Sequence, residues 1–425
     1  MTARVTPLAL SLLGVAAWAV SLGVLSGRPE LLATALPILL LLATLARPAS
    51  RPDYSIAHEI SSDRAFEGGA VTVTVTVEAR SPLALIELLG PLPPGSAVRL
   101  GNHRAVLTLR AGATARWSYD LHFPGRGLHD LGTIAVRVRD RFGLRVWECR
   151  HVDPKPVRVY PRIVPLRHVP RPAHVQASVG DYVSPALGEG IEPGDIRQFS
   201  PGDRIKQVNW RASLRLGQLY VTQQHRERNA DVVLMLDTLA EVGAPADTTL
   251  DLGIRAAASL ATAYLARKDR VGLITYGGVM SWVRPRSGPA QYERVADALL
   301  RADVVFTYVA KDLLRVPPRV LSPQALVIAI TPLLDQRFSK AVLDLAARGF
   351  DLVVLVVSPV AVTRVALAPS LAGDLAGRLW ALERRSELAA LRRHGLPVLE
   401  WRPPEPLEAA LVAARRPRIR LASAG

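Results

Sequence analysis

Asp231-Val-Val-Leu-Met-Leu-Asp237 sets five apolar residues in a row between two carboxylates. An unbroken apolar run of that length is a strand covered on both faces, which is how the strands of a parallel sheet sit. The period then changes, because Thr249 to Arg267 carries apolar side chains at helical spacing. Arg270 to Tyr276 returns to a strand, Val279 to Arg284 follows as its hairpin partner, and Gln291 to Arg301 is helical. Ala325 to Thr331 and Asp351 to Ser358 supply two more strands around a helix over Phe338 to Arg348. A helix over Leu371 to His394, a strand over Pro397 to Trp401 and a helix over Pro406 to Arg416 close the series. Apolar strands alternating with amphipathic helices predict a doubly wound α/β domain over residues 230–414. The tail at 415–425 holds Arg415-Arg-Pro-Arg-Ile-Arg420, a solvated basic run with the charge to meet anionic lipid.

Upstream the pattern is that of another fold class. Ala70-Val-Thr-Val-Thr-Val-Thr-Val77 alternates strictly and is β-branched, as a half-buried strand requires. Arg104 to Leu109, Ala115 to Phe123, Gly132 to Arg139 and Leu144 to Glu148 read as further short strands. Glu67-Gly68-Gly69, Pro93-Pro94-Gly95, Arg110-Ala111-Gly112 and Pro124-Gly125-Arg126-Gly127 punctuate them as turns. This spacing predicts an antiparallel β-sandwich of immunoglobulin-like type over residues 54–160, serving as a spacer or binding module. Its histidines (His58, His103, His122, His129, His151) show no ligand spacing.

At the start, Val5 to Gly27 contains no charged residue, and Leu31 to Ala46 forms a second uncharged run after the turn Arg28-Pro29-Glu30. The first run is long enough to span a bilayer. The second rises only about 24 Å as a helix, a deficit that snorkelling of Arg47 and local thinning can cover. Residues 1–53 therefore read as a transmembrane hairpin anchor, longer and more apolar than a signal peptide. Basic groups flank its outer ends (Arg4 and the amino terminus; Arg47 and Arg51), while the turn carries one charge of each sign. The positive-inside rule then places a multi-pass protein in the inner membrane, with its soluble region in the cytoplasm.

The chain has 425 residues, 49% of them hydrophobic, too many for one ordinary domain and apolar enough to bury sizeable cores. Lys and Arg number 53 against 37 Asp and Glu, a net charge of +16. A balance that basic suits an anionic membrane face, an acidic protein or nucleic acid. The lone cysteine, Cys149, excludes an intrachain disulfide and a paired-cysteine zinc site. No Gly-x-x-x-x-Gly-Lys loop, His-Glu-x-x-His or Gly-x-Ser-x-Gly is present, so no catalytic residue is assigned.

A Pro-rich stretch from Tyr160 to Pro172 opens a connector over residues 161–229. Within it lies the most distinctive sequence of the chain, Gly194-Asp-Ile-Arg-Gln-Phe-Ser-Pro-Gly-Asp-Arg-Ile-Lys-Gln-Val-Asn-Trp-Arg-Ala-Ser-Leu-Arg-Leu-Gly-Gln-Leu-Tyr-Val221. Pro201-Gly202 favours a type II turn, Asp203 is placed to N-cap a short helix running to Trp210, and Gly217 ends the turn after it. Gln218 to Thr222 then alternates as a strand. Arg197, Asp203, Asn209, Trp210, Arg211 and Arg215 form the candidate site. They either lock the β-domain to the α/β domain through a charged network or present a surface to a partner.

The Arg-aromatic pairing, Pro-Gly-Asp, Asn-Trp-Arg-Ala-Ser and later Arg resemble the signature of the domain-of-unknown-function fifty-eight family. So do Asp140-Arg-Phe-Gly-Leu144 after its Gly-Arg-Gly loop and the paired N-terminal helices. Phe199, Arg204, Lys206 and Leu214 depart from the Tyr, Asp, Arg and Ala more usual there, and they keep the turn and the Trp. The resemblance implies that the α/β domain is of von Willebrand factor A type and that a MoxR-type AAA+ ATPase is its protein partner. It also implies a divalent-metal site of the form Asp-x-Ser-x-Ser. Here the strand ends Asp237-Thr-Leu-Ala-Glu241, with Leu239 and Glu241 at the serine positions and Thr331-Pro332 where Ser-Asp is common. Hard-oxygen octahedral coordination needs more ligands than Asp237 with Glu241 or Asp335 supplies, so the site reads as degenerate, Asp237 as structural, and no cofactor is assigned.

The resulting expectation is a membrane-tethered scaffold or adaptor, not an enzyme, that meets lipid through its hairpin and a protein through its A-like domain. A metal-dependent receptor or enzyme is the alternative. A basic nucleic-acid binder has only the net charge behind it, and no nucleic-acid partner is expected. Reporter fusions after Arg51 and at Gly425 are expected to behave as cytosolic. Strong activity of a periplasm-dependent reporter at either position would reverse the orientation.

Overall fold

The computed structural model describes residues 2–46, 50–171, 176–188, 192–200, 208–229, 231–307, 313, 316–366 and 370–413. Two compact units divide it, Met1–Tyr160 and Pro161–Gly425. The first begins with a short strand, β1 (Thr2–Val5), then two helices, α1 (Pro7–Ser26) and α2 (Pro29–Ala43). Eleven strands follow. They are β2 (Tyr54–Ile60), β3 (Arg64–Phe66), β4 (Ala70–Ala79), β5 (Leu83–Leu89), β6 (Ala97–Leu100) and β7 (Arg104–Leu109). The others are β8 (Thr114–His122), β9 (Gly127–Asp130), β10 (Thr133–Arg139), β11 (Arg145–Val152) and β12 (Pro156–Tyr160).

Antiparallel sheets of order β2-β4-β8-β6 and β1-β11-β10-β5-β7 supply one shared core. The alternation read in β4 is realised, with Val71, Val73, Val75 and Val77 pointing inward and the threonines between them half-buried. Ile86, Leu88, Ile134, Val136 and Val138 meet them from the other sheet. Each such side chain contributes about 1.5–3 kcal/mol over an exposed one. Cys149 packs at the margin of this cluster, its Sγ 3.0 Å from the Tyr54 hydroxyl.

Strand β1 has no counterpart in the sequence reading, since four residues, two of them polar or charged, leave no readable period. It pairs antiparallel with β11, setting Thr2 opposite Glu148 and Val5 opposite Arg145. Pro29 and Glu30, read above as turn, begin α2 instead: Pro is favoured at the first helical position, and Glu30 answers the helix dipole. The hairpin is packed inside out relative to a water-soluble core. Ala9, Ala16, Ala19 and Gly23 of α1 and Ala35 of α2 are buried, while Leu10, Leu13, Trp18, Leu25 and Leu40 are more than half exposed.

In the second unit, β13 (Gln176–Gly188), β14 (Glu192–Gln198) and β15 (Tyr220–Asn229) form a three-stranded antiparallel sheet, with the short helix α3 (Trp210–Leu216) between β14 and β15 in sequence. The α/β part contains β16 (Asp231–Thr238), α4 (Thr249–Ala266), β17 (Arg270–Gly277), β18 (Ser281–Arg286) and α5 (Pro289–Leu300). It continues with β19 (Leu326–Thr331), α6 (Gln336–Ala347), β20 (Asp351–Val357), α7 (Pro359–Ala366), α8 (Leu371–Arg393), β21 (Val398–Trp401) and α9 (Leu407–Ala413). The sheet order is β18-β17-β16-β19-β20-β21, parallel apart from the β17–β18 hairpin.

Both faces of this sheet are covered. Leu234, Leu236, Ile328 and Ile330 pack under α4, α5 and α9, while Met235, Val327 and Ala329 pack under α6 and α8. Helix α4 starts at a capping box, in which the Thr248 hydroxyl accepts from Asp251 N at 3.1 Å and the Asp251 carboxylate accepts from Thr248 N at 3.3 Å. It lies close on the sheet at Gly253, where a Cβ would sit 3.2 Å from Leu236 and 3.5 Å from Ile330. The Pro-rich stretch read as a boundary runs along this unit. Val164 N donates to Ser259 Oγ, the Tyr264 hydroxyl to Pro170 O, and the amides of Arg167 and His168 to the Glu408 carboxylate.

Phe338 is fully buried and meets Tyr276 edge to face at 5.7 Å. Phe338→Ala should cost about 3–5 kcal/mol in denaturant unfolding of the detergent-solubilised chain. Leu214→Ala, at a site 84% exposed, should stay within about 0.5 kcal/mol of the parent.

Candidate functional site

Four of the six candidate residues, Asn209, Trp210, Arg211 and Arg215, lie on α3 or its cap. Asp203 lies outside the described residues. Most of the helix expected to run from there to Trp210 lies outside them too; α3 begins at Trp210, and its cap is Asn209, whose Oδ1 accepts from Ala212 N at 3.0 Å. A capping Asn satisfies one of the four orphan amides of a helix start. Gly217 closes the helix at φ 69°, as its position predicts.

Two motif residues anchor the helix to β15. Asn209 N donates to Tyr220 O at 2.8 Å. Ser213, buried, receives Tyr220 N on its hydroxyl at 2.9 Å and donates to Asn209 O at 2.8 Å. The remaining motif letters point the other way. Trp210 is 59% exposed and Leu214 84%, an i,i+4 apolar pair on one side of the helix. Arg211 and Arg215 form a second i,i+4 pair beside it; both are exposed, and neither makes an ion pair among the described residues. Arg197 sits on β14 opposite Val221, and Val208 bridges to the same Val221 from the other side. Asp203, the acidic member of the charged network read with Arg197, Arg211 and Arg215, lies outside the described residues, and Trp210 is not a core side chain. Leu214 was noted from sequence only as a departure from a family pattern; its exposure beside Trp210 makes it part of the surface.

A second site lies where the sheet changes winding direction. From β16 the chain moves to β17 on one side, then returns to β19 on the other, so the C-terminal ends of β16 and β19 flank the switch point where open α/β sheets bind ligands. Asp237, next to last in β16, is 2% exposed. Its Oδ2 accepts from the Thr331 hydroxyl of β19 at 2.6 Å, and its Oδ1 from Leu239 N at 3.0 Å. Burial pushes its carboxyl up to about 7, against the pull of those two donors. Asp335, at the start of α6, is held below the usual carboxylate range by the Arg337 guanidinium, 2.6 Å away. Arg337 also donates to Thr307 O at 2.6 Å.

These residues do not fit a divalent cation. Both Asp237 oxygens are taken by protein donors, Leu239 is a buried apolar side chain where a ligand would be needed, and Asp335 is engaged by Arg337. Among the described residues, no three His, Cys, Asp or Glu side chains converge. Asp237 instead ties the two central strands together.

Residues 195–362, from β14 to α7, match the family model described as "Protein of unknown function DUF58". Uncharacterized proteins of Mycobacterium bovis and Mycobacterium tuberculosis are each 30% identical to this chain over 152 residues, 33% of this chain and 47% of the relative. The chain thus spans about half the length of the curated relatives it matches. Among solved structures, the cupredoxin domain of amoB from Nitrosocaldus yellowstonii aligns at TM-score 0.19 and 9% identity, over 27% of this chain and 90% of that one. A FixG-related protein from Vibrio parahaemolyticus aligns at 0.17 and 12%, over 24% and 98%. Likenesses so slight carry no argument about fold or function.

Because the folded-state pKa of Asp237 is raised, its native carboxyl holds a proton that the unfolded chain has released between about pH 4 and pH 7. Stability from this group is full below pH 4 and declines as pH rises to 7. Asp237→Asn should remove that decline. Denaturant unfolding curves of parent and variant should diverge by a few kcal/mol, of order 1.4 per pH unit, between those limits. Parallel curves would show that Asp237 is ionised in the fold.

Proposed function

We propose that this chain is a membrane-tethered adaptor that docks a protein partner through the outward face of α3. The observation that carries the reading is the division of one motif into two faces. Asn209 and Ser213 are spent on holding the helix, which leaves Trp210, Leu214, Arg211 and Arg215 facing solvent. Exposed Trp and Arg on a rigid element are the composition of an interface hot spot, and an aromatic-arginine face suits a partner with an acidic, partly apolar surface. The family-model match covers this helix. The resemblance drawn from sequence names a MoxR-type AAA+ ATPase as that partner, and a von Willebrand factor A type for the α/β domain.

The membrane tether is supported by the packing of the hairpin. Two helices, Pro7–Ser26 and Pro29–Ala46, have mean hydropathies of 2.2 and 1.9 and are long enough to cross a bilayer. Their small residues face each other and their leucines face outward, an arrangement that suits lipid and would be unfavourable in water. Pairing of β1 with β11 also keeps the segment before α1 beside the β-domain. Only an even number of crossings permits that, as a two-helix hairpin provides. With the basic outer flanks, the soluble region is then cytoplasmic.

Co-purification of the tagged full-length chain with the ATPase, with and without ATP, tests the partner. Trp210→Ala should leave the unfolding midpoint unchanged and weaken association by about 30-fold or more, the scale of a hot-spot residue near 2 kcal/mol. A loss of folding stability of about 3–5 kcal/mol with partner binding retained would return Trp210 to a packing role.

A further inference from the structure

We infer that the turn joining β10 to β11, Asp140-Arg141-Phe142-Gly143-Leu144, is a third membrane contact: Phe142 enters the boundary between headgroups and acyl chains beside α1, and Arg141 meets anionic phospholipid headgroups. This rests on the reading of α1 and α2 as a bilayer-spanning hairpin.

The turn is bolted to both outer ends of that hairpin. Thr6, the N-cap of α1, donates its amide to Leu144 O at 2.9 Å and its hydroxyl to Gly143 O at 2.7 Å. Val5 is in register with Arg145, and the Arg145 guanidinium donates to Leu45 O at the far end of the hairpin. The level of the turn follows from these bonds. A Cβ built on Gly143 would lie 3.8 Å from Leu8, in the first turn of the apolar helix. Phe142 precedes Gly143 in the chain and is 49% exposed, much as Leu8 and Val5 are, at 50% and 51%.

The geometry is also rigid. Asp140 Oδ1 accepts from Arg145 N at 3.1 Å, Gly143 N donates to Asp140 O at 3.1 Å, and Gly143 takes φ 69°, which a side chain there would resist. Asp140 is thereby spent on the turn. Arg141 is exposed and makes no ion pair among the described residues. An aromatic ring beside an uncommitted arginine at the mouth of an apolar helix is the chemistry of the interfacial belt, and that arginine is drawn to an anionic leaflet. Lipid is the occupant these observations favour, because the apolar surface is continuous with a span that lipid already covers.

Spin labels on the full chain in a Cys149→Ser background test this, reconstituted in phosphatidylcholine vesicles with and without phosphatidylglycerol. Three positions are compared: Phe142→Cys, Trp18→Cys in the middle of α1, and Val152→Cys at the other end of β11, about 23 Å along the strand from Arg145. Oxygen should reach the label at 18 and a water-soluble nickel reagent should not. The label at 142 should behave likewise but at shallower depth, and the label at 152 should behave as in water. Depth at 142 should increase with phosphatidylglycerol, and Arg141→Gln should abolish that increase. A label at 142 that matches 152 while 18 is buried overturns the contact and leaves the hairpin standing. Water access at 18 overturns both. Protection at 142 from both reagents means that protein covers the turn, which overturns the lipid assignment. Equal depth in the two lipid mixtures overturns the headgroup role of Arg141.

Discussion

All eight residues of β16 are buried, and the second unit is arranged around that fact. A strand covered on both faces must have its backbone donors and acceptors satisfied by strands on either side, which β17 and β19 provide in parallel register. Its side chains alternate between two separate cores, so helices are required above and below the sheet. Asp237 is next to last in the strand, within this apolar setting, and its buried carboxyl is matched to the Thr331 hydroxyl across the winding switch. That pairing occupies the place where many sheets of this kind bind a ligand.

In the first unit the governing constraint is the junction at Thr6. One residue ends β1, caps α1 and bonds to two carbonyls of the β10–β11 turn. The hairpin therefore does not swing on a free linker at its start. It leaves directly from a sheet, and the polar groups at the helix start are satisfied by protein. Asp140 to Leu144, marked in the sequence only by its family resemblance, is fixed in place by this junction.

The α3 motif divides between residues that hold the helix and residues that face solvent. Alternative readings of it, a lock between domains or a docking face, were both consistent with the residue types. Within α3 the residues divide: Asn209 and Ser213 hold the helix on β15, while Trp210 and Leu214 carry exposed apolar surface with arginines beside it. An aromatic left in water at a fixed position gains nothing for the fold, since its burial energy is not collected.

Much of this architecture was legible in the residues. The period-2 valines of β4, the unbroken apolar run of β16, the helical spacing of α4 and the glycine stop at Gly217 are local signals, because each is produced by the geometry of a single element. Two apolar helices near the start were legible for the same reason. What local pattern does not carry is pairing and exposure. Strand β1 exists because β11 offers it an edge; α3 begins at Asn209 because β15 receives that residue's amide; Trp210 faces outward because Ser213 has taken the inward side. Each of these depends on a partner distant in sequence. Residue types set what could be buried, and only the tertiary contacts decided which side chains were.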